Sequence, residues 1–204
     1  MKFSHASYIC ITWLACVAVT CFSVSVAARE TYAAFASRIT AQATAAGSVR
    51  PDLEAELFRL ANAYRLSQGA SALVLDPETQ NAARAHAMDM MLHHFTGHVS
   101  STGHDFDSRM RALKNGAMVL PQMGENAARV IRKGEVDRAR VNELFQLWVK
   151  SAGHRHNLLD RNYLKMATGV VVNGNQLFAD QIFTGPSVTT NILQVAPASG
   201  SGLY

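Results

Sequence analysis

Two histidines and one glutamate lie where the sequence predicts that a helix or strand begins or ends, so side chains from distant segments can meet there. His98 ends a Phe-Thr-Gly-His segment, Glu125 is the middle residue of a Gly-Glu-Asn segment, and His154 follows a glycine behind an amphipathic stretch. Neutral imidazole binds zinc and copper well, and two imidazoles with one carboxylate and an open position can hold a divalent ion. We therefore expect His98, Glu125 and His154 to be the metal ligands if the fold brings them together.

The same residues also have a purely structural interpretation. In that interpretation Glu125 is a buried acid that bonds to a backbone amide or to a histidine and locks two loops together. Four further histidines are expected to be packing or surface residues, because histidine is common at intermediate burial without a special role: His86, His93, His94 and His104.

Nucleophilic hydrolysis has weaker support, and the sequence assigns no catalytic residue. Ser151 lies three residues before His154, but the Gly-x-Ser-x-Gly segment that exposes a nucleophilic serine is missing from the sequence. The sequence also has no Gly-x-x-x-x-Gly-Lys phosphate loop, and no pair of carboxylates stands out for glycoside hydrolysis.

Residues 1–28 have the features of a signal peptide. Lys2 supplies a positive start, a largely apolar and uncharged run follows, and small residues precede position 29. A membrane anchor is the alternative, because the run is long enough to span a bilayer. We expect cleavage, a secreted or periplasmic location and no stable membrane span afterwards.

The cysteines and the charge restrict the classes of mature protein. The three cysteines, at positions 10, 16 and 21, all lie in the predicted leader, so the mature domain is expected to fold without disulfides. The formal net charge is +4, with basic residues scattered among acidic ones, so nucleic acid is not indicated as a partner.

The remaining chain is long enough for one domain, in which helices come first. Residues 29–50 are a short helix or a linker, and the domain itself spans residues 51–185. Apolar residues at helical spacing predict helices that begin at Pro51 and Pro77, and a shorter helix capped by Asp105 or Asp107.

The second half of the domain predicts strands. Residues 127–131 form a strand, and a helix over residues 136–151 is expected to end at Gly153 in a left-handed conformation, which places His154 in a turn. Residues 167–172 and 176–183 form an antiparallel hairpin around an Asn-Gly turn. The result is an α+β domain with a small antiparallel sheet covered by helices and a loose tail over residues 186–204.

Four segments, in the order in which they follow one another along the chain, resemble the bacterial branch of the CAP superfamily. This superfamily comprises cysteine-rich secretory proteins, antigen 5 and plant pathogenesis-related class-one proteins and is also called SCP-like. They are Leu-Ala-Asn-Ala-Tyr-Arg at 60–65, Ala-His-Ala-Met-Asp-Met at 85–90 leading to Phe-Thr-Gly-His at 95–98, Gly-Glu-Asn-Ala-Ala at 124–128, and Trp-x-x-Ser-x-Gly-His-Arg-x-Asn-Leu-Leu at 148–159.

The resemblance implies an α-β-α sandwich with a central cleft. His98 then corresponds to the first cleft histidine, Glu125 to the acid of the Gly-Glu-Asn motif and His154 to the second histidine. Some members of the family bind zinc or another divalent ion there. Ser151 stands where animal and plant members have a further acid, which implies a loosely held or water-completed metal.

The expected function is that of a secreted, non-enzymatic module that binds a small apolar or peptide-like ligand in a His/Glu cleft, with or without a divalent metal such as zinc. The alternatives are a hydrolase, either a peptidase or an esterase, and a structural interaction module of the cell envelope. The sequence leaves the oligomeric state open.

Overall fold

The computed structural model describes residues 30–116 and 120–186. The predicted leader and all but the first residue of the predicted tail lie outside these ranges. Six helices are described: α1 (Tyr32–Ala45), α2 (Pro51–Ser67), α3 (Pro77–Leu92), α4 (Phe106–Leu113), α5 (Arg138–Lys150) and α6 (Ala152–Leu159). Four strands accompany them: β1 (Val74–Leu75), β2 (Met123–Ile131), β3 (Lys165–Asn173) and β4 (Gln176–Thr184).

The strands form one sheet in the order β1-β3-β4-β2. The β3-β4 pair is the predicted hairpin, in which Asn173 lies opposite Gln176 and Gly174 takes a φ of +57° in the turn. Strand β2 runs antiparallel to β4 and forms one edge of the sheet, whereas the two residues of β1 pair in parallel with β3 at the other edge.

Helices cover both faces of this sheet, as the α-β-α sandwich requires. On one face α2, α5 and α6 enclose a core that includes Leu57, Trp148 and Phe183. On the other face α1 and α3 pack over Val171 and Phe178, and α4 lies beside them. Because alternate residues of a strand point to opposite faces, β2 directs Glu125 towards α3 and α4 and its neighbour Asn126 towards α6.

Local signals explain where several helices begin. Residues 29–50 contain a helix, α1, whose first turn is capped by the Thr31 hydroxyl, which accepts a hydrogen bond from the Ala34 amide at 3.2 Å. Asp105, and not Asp107, caps α4 through the Ser108 amide at 2.8 Å. These side chains satisfy amides that a helix leaves without partners at its start.

Two sequence predictions of local structure were wrong, and β1, whose backbone pairs with the start of β3, was not predicted. Strand β2 begins at Met123, so the Gly-Glu-Asn segment lies within a strand and not before one. Gly153 does not end a helix in a left-handed conformation: Ser151 is extended with φ −78° and ψ 125°, and α6 starts directly after it.

Helix α3 approaches the sheet at Gly169, a position of β3 without a side chain. A Cβ on Gly169 would overlap the backbone of Ala83 and the amide of Arg84. This contact brings α3, with the buried His86 and Asp89, close to the centre of the sheet. Within the described ranges, none of the helices has the length and apolar character needed to cross a membrane.

Candidate functional site at the β2 edge

The loop between α3 and α4 carries His98 and is fixed to its surroundings by buried polar groups. His86 Nε2 lies 2.7 Å from the Gly97 carbonyl oxygen, and since a carbonyl only accepts, this nitrogen carries the proton. Asp89 accepts hydrogen bonds from the Ser101 amide at 2.9 Å and the Ser101 hydroxyl at 2.5 Å. The loop is therefore held at both ends, which places His98 beside the edge strand β2.

Glu125 is buried with both carboxylate oxygens engaged, and 2% of its side chain is exposed. Oε1 accepts a hydrogen bond from Arg109 Nη2 at 2.6 Å, and Oε2 lies 2.8 Å from His98 Nδ1. Burial alone raises the pKa of Glu125, but the hydrogen bond from His98 and the charge of Arg109 outweigh it and hold the pKa below its ordinary value. Glu125 is consequently an ionised acceptor.

His98 has a defined protonation pattern as a result. An ionised carboxylate only accepts, so His98 Nδ1 donates to Glu125, and in the neutral imidazole Nε2 carries the lone pair. The hydrogen bond to Glu125 also raises the pKa of His98 against the opposing effect of burial. About half of the His98 side chain is exposed, so the ring reaches solvent.

His154 lies in the first turn of α6 and faces His98. The two imidazole centroids are 6.5 Å apart, and the indole of Trp148 lies 6.4 Å from the His154 ring. Burial, followed by the charge of His98, lowers the pKa of His154. The lowered pKa favours the neutral imidazole, and among the described residues the ring has no hydrogen-bond partner.

Amide side chains connect α6 to the strand that carries Glu125. Asn157 Nδ2 donates to the Glu125 carbonyl oxygen and to Asn126 Oδ1, both at 3.0 Å, and Asn126 Nδ2 donates to the His154 carbonyl oxygen at 3.2 Å. These bonds fix the distance between the β2 edge and His154. They also give a physical reason for the two asparagines of the Gly-Glu-Asn and His-x-x-Asn segments.

Two further residues secure this arrangement. A Cβ on Gly124 would overlap the hydroxyl of Tyr163, so glycine is required for Tyr163 to pack against β2. Arg65, which is fully buried, donates from Nη1 to the carbonyl oxygens of Leu158 at 2.7 Å and Asp160 at 3.0 Å. The guanidinium thus satisfies carbonyls at the C-terminal end of α6 and ties this helix to α2.

The structure brings the three predicted residues to one place, although their role as metal ligands stays a prediction. Glu125 contacts His98 directly, and His98 faces His154. Two of the histidines that were set aside lie elsewhere: His93 Nδ1 bonds to Asp89 at 2.8 Å, and His104 Nδ1 lies 3.0 Å from Thr102 Oγ1.

Sequence reasoning missed the residues behind Glu125. Arg109 from α4 and Asp180 from β4 are both fully buried, and so is His86. The ligand atoms of His86, Glu125 and Asp180 all lie within 4.8 Å of one another. A signal for Asp180 was present, because it interrupts an otherwise apolar hairpin strand, where a lone charged residue needs a compensating partner.

The described residues form a sheet covered by helices with two imidazoles beside its β2 edge, and comparison with known proteins identifies the family. A profile of the cysteine-rich secretory protein family, CAP, matches residues 58–185, more than half of the chain. The protein therefore belongs to the CAP family.

Bacterial relatives share this domain. The uncharacterized protein YkwD of Bacillus subtilis is 31% identical over 133 residues, which are 65% of this chain and 48% of YkwD. The uncharacterized membrane protein YlbC of the same organism is 29% identical over 117 residues, 57% of this chain and 31% of YlbC. The match thus spans about half of one curated relative and a third of the other.

Solved structures show the same fold. An extracellular protein of Bacillus anthracis that contains an SCP domain superposes with a TM-score of 0.52 at 26% identity, covering 67% of this chain and 41% of that one. An outer surface protein of Borrelia burgdorferi superposes with a TM-score of 0.53 at 15% identity, covering 64% of this chain and 90% of that one. At 15% identity, the Borrelia burgdorferi structure is similar to this chain in its fold alone.

Proposed function

We propose that this protein is an exported CAP module that binds ligands without catalysing a reaction, and that His98 and His154 hold a divalent metal ion such as zinc in its cleft. The observation that carries the proposal is the opposed pair of imidazoles, one oriented by a buried carboxylate and the other neutral and without a hydrogen-bond partner among the described residues.

The donor set fits a metal ion in its chemistry. A ligating histidine needs a lone pair on one nitrogen and commonly donates from the other to a carboxylate, which fixes the ring and raises its basicity. His98 has this arrangement, because Nδ1 is bonded to Glu125. His154 meets the other requirement, since its lowered pKa keeps the imidazole unprotonated near neutral pH.

The spacing of the rings also fits. Zn–N distances of about 2.0–2.1 Å in a tetrahedral site place two imidazole centroids about 5–6 Å apart. The observed 6.5 Å is near this range, so a small side-chain rotation is sufficient. Two imidazoles leave positions for water or an external ligand. Glu125, whose oxygens are both engaged, supports His98 in this proposal and need not bind the metal itself.

A ligand of the small apolar or peptide-like class has a suitable surface elsewhere in the domain. An open groove of about 730 Å³ lies between α1, the start of α3 and the end of α4, and is lined mainly by small side chains such as Ala36, Thr40 and Ala82. This volume lies within the range of small-molecule sites. The groove is separate from the histidines, so the two sites can be tested independently.

Metal binding is tested by titrating zinc into metal-free protein and counting bound ions. We expect one ion per chain at micromolar zinc, and loss of this ion in the His98→Ala, His154→Ala double variant. His156→Ala is the matched control, since it removes an exposed histidine of the same helix α6. Absence of zinc binding by folded wild-type protein would overturn the metal proposal.

A hydrolase is the second candidate, and the neutral His154 favours it because an unprotonated imidazole can act as a general base. The test is turnover of a broad set of peptide and ester substrates. Turnover that disappears in folded His154→Ala, but persists in His156→Ala, would assign hydrolysis and contradict a purely binding role.

A further inference from the structure

A second group of potential metal ligands lies inside the domain, behind the His98–His154 pair. His86, Glu125 and Asp180 come from α3, β2 and β4, and each offers a ligand atom within 4.8 Å of the others. One imidazole with two carboxylates is a familiar set of ligands for a divalent ion. All three residues are buried. By composition alone, this inner group would be taken as a metal site.

The guanidinium of Arg109 already lies within this group. Arg109 is fully buried, its Nη2 donates to Glu125 Oε1 at 2.6 Å, and the same nitrogen lies 3.2 Å from the His98 carbonyl oxygen. Its Cζ is 5.5 Å from the centroid of the Phe106 ring, on which the planar group rests. A guanidinium is always charged and is the cation best suited to buried carboxylates.

The position of Arg109 leaves no favourable place for a further cation. Glu125 and Asp180 project from the same face of the sheet, because Glu125 lies opposite Ile182 and Asp180 lies opposite Ala127 in the β2-β4 register. The buried guanidinium is paired with Glu125 at 2.6 Å. A divalent ion between these side chains would therefore lie beside a buried positive charge, and two like charges repel strongly where water is excluded.

The bond to Arg109 also determines how Glu125 acts on His98. It occupies Oε1 and leaves Oε2 directed at His98 Nδ1. Because Arg109 donates to the His98 carbonyl oxygen as well, one buried cation fixes both partners of the Glu125–His98 bond.

We propose that Arg109 is the resident cation of the inner group, which excludes a metal ion there, and that Arg109 is a positioning residue that fixes the Nδ1-protonated form of His98 through Glu125. The consequence for metal binding in the cleft rests on the function proposed above, whereas the protonation pattern of His98 exists in the metal-free protein.

The test reads the protonated nitrogen of His98 in ¹⁵N-labelled, metal-free protein by nuclear magnetic resonance at about pH 9, where imidazole is neutral. We expect wild-type protein and Arg109→Lys, which keeps the charge, to show the proton on Nδ1. Arg109→Met should show a mixture of the two neutral forms. Arg59→Met is the matched control, because it removes an exposed arginine paired with Glu56, and it should behave as wild type.

Folded Arg109→Met with an unchanged wild-type pattern would refute the positioning role. A second measurement does not depend on that variant: zinc is counted in the His98→Ala, His154→Ala double variant. We expect no bound ion. One bound ion that disappears when Asp180→Asn is added would show that the inner group takes metal, contrary to the proposal. If the wild-type protein binds no zinc, the proposed function fails, and the spectra still decide the role of Arg109.

Discussion

Replacing Glu125 with glutamine separates the orienting role of this residue from its contribution to packing. The variant keeps the size and shape of a side chain that is 2% exposed, but exchanges one carboxylate oxygen for an NH₂ group. Arg109 Nη2 can only donate, so the amide oxygen of the new side chain must face Arg109. The NH₂ group then faces His98 Nδ1.

His98 can keep a hydrogen bond to this NH₂ group only if Nδ1 becomes the acceptor. The proton then moves to Nε2, the nitrogen that the proposed metal requires without a proton. Loss of a carboxylate behind a ligating histidine typically weakens metal binding by about 10- to 100-fold, and we expect Glu125→Gln to fall in this range. The unfolding free energy should decrease by about 2 kcal/mol, since a hydrogen bond between charged groups is worth roughly 1.5–3 kcal/mol.

Two assays check these expectations. Zinc affinity is measured by competition with a chromophoric chelator, and stability by urea unfolding followed through the fluorescence of Trp148, which is fully buried in the folded domain. Glu125→Gln protein that unfolds like the wild type, or that retains its zinc affinity, would contradict the reasoning. Asn142→Asp, on the exposed side of α5, is a suitable control for a change of one charge elsewhere.

Three other outcomes are expected. Gly169→Ala should lower the unfolding free energy by about 3 kcal/mol, the upper end for overpacking, because the new methyl group meets the backbone of α3. Gly153→Ala should instead raise the unfolding free energy by about 0.5–1 kcal/mol, because the residue lies in a helix with open space around it. Urea unfolding of both variants tests these two expectations. Arg65→Met should destabilise by about 3 kcal/mol, since it leaves two carbonyl groups at the end of α6 without a donor at roughly 1–3 kcal/mol each, and a loss below about 1 kcal/mol would contradict it. In a magnetic resonance titration, His98 should titrate above and His154 below the ordinary imidazole pKa of about 6.5. The stability that His98 contributes is complete below about pH 6.5 and is lost as the pH rises through the raised pKa of His98. The stability that His154 contributes is present above about pH 6.5 and is lost as the pH falls through the lowered pKa of His154.

The sequence predicted the elements whose apolar residues repeat with a clear period. Helix α2 and the β3-β4 hairpin occur where the spacing and the Asn-Gly turn placed them. The boundary at Ser151 was not predictable in this way, because Gly153 was interpreted as the end of the helix, whereas a single extended residue, Ser151, separates two helices. His154 was therefore assigned to a turn, although it lies within α6.

The candidate site was predictable only in part. Motif segments identified His98, Glu125 and His154, but no spacing rule relates Arg109 to Glu125, since they come from a helix and a strand that meet only in the folded domain. The sequence also does not show whether the carboxylate of Glu125 is available to bind a metal ion. Whether an acid is free to bind a metal depends on which donors its oxygens face, and that information is three-dimensional.

Helix α1 lies before the segment that the family profile matches, yet it belongs to the same core. Tyr32, Phe35 and Ile39 are buried with Phe178 of β4, and the Tyr32 ring lies 5.2 Å from that of His104 in the loop that carries His98. Shortened forms prepared for crystallisation or binding studies should accordingly begin no later than residue 30. A fragment that begins at residue 50 would expose to water the apolar sheet face that α1 covers. It would also lose the contact between Tyr32 and the loop that carries His98.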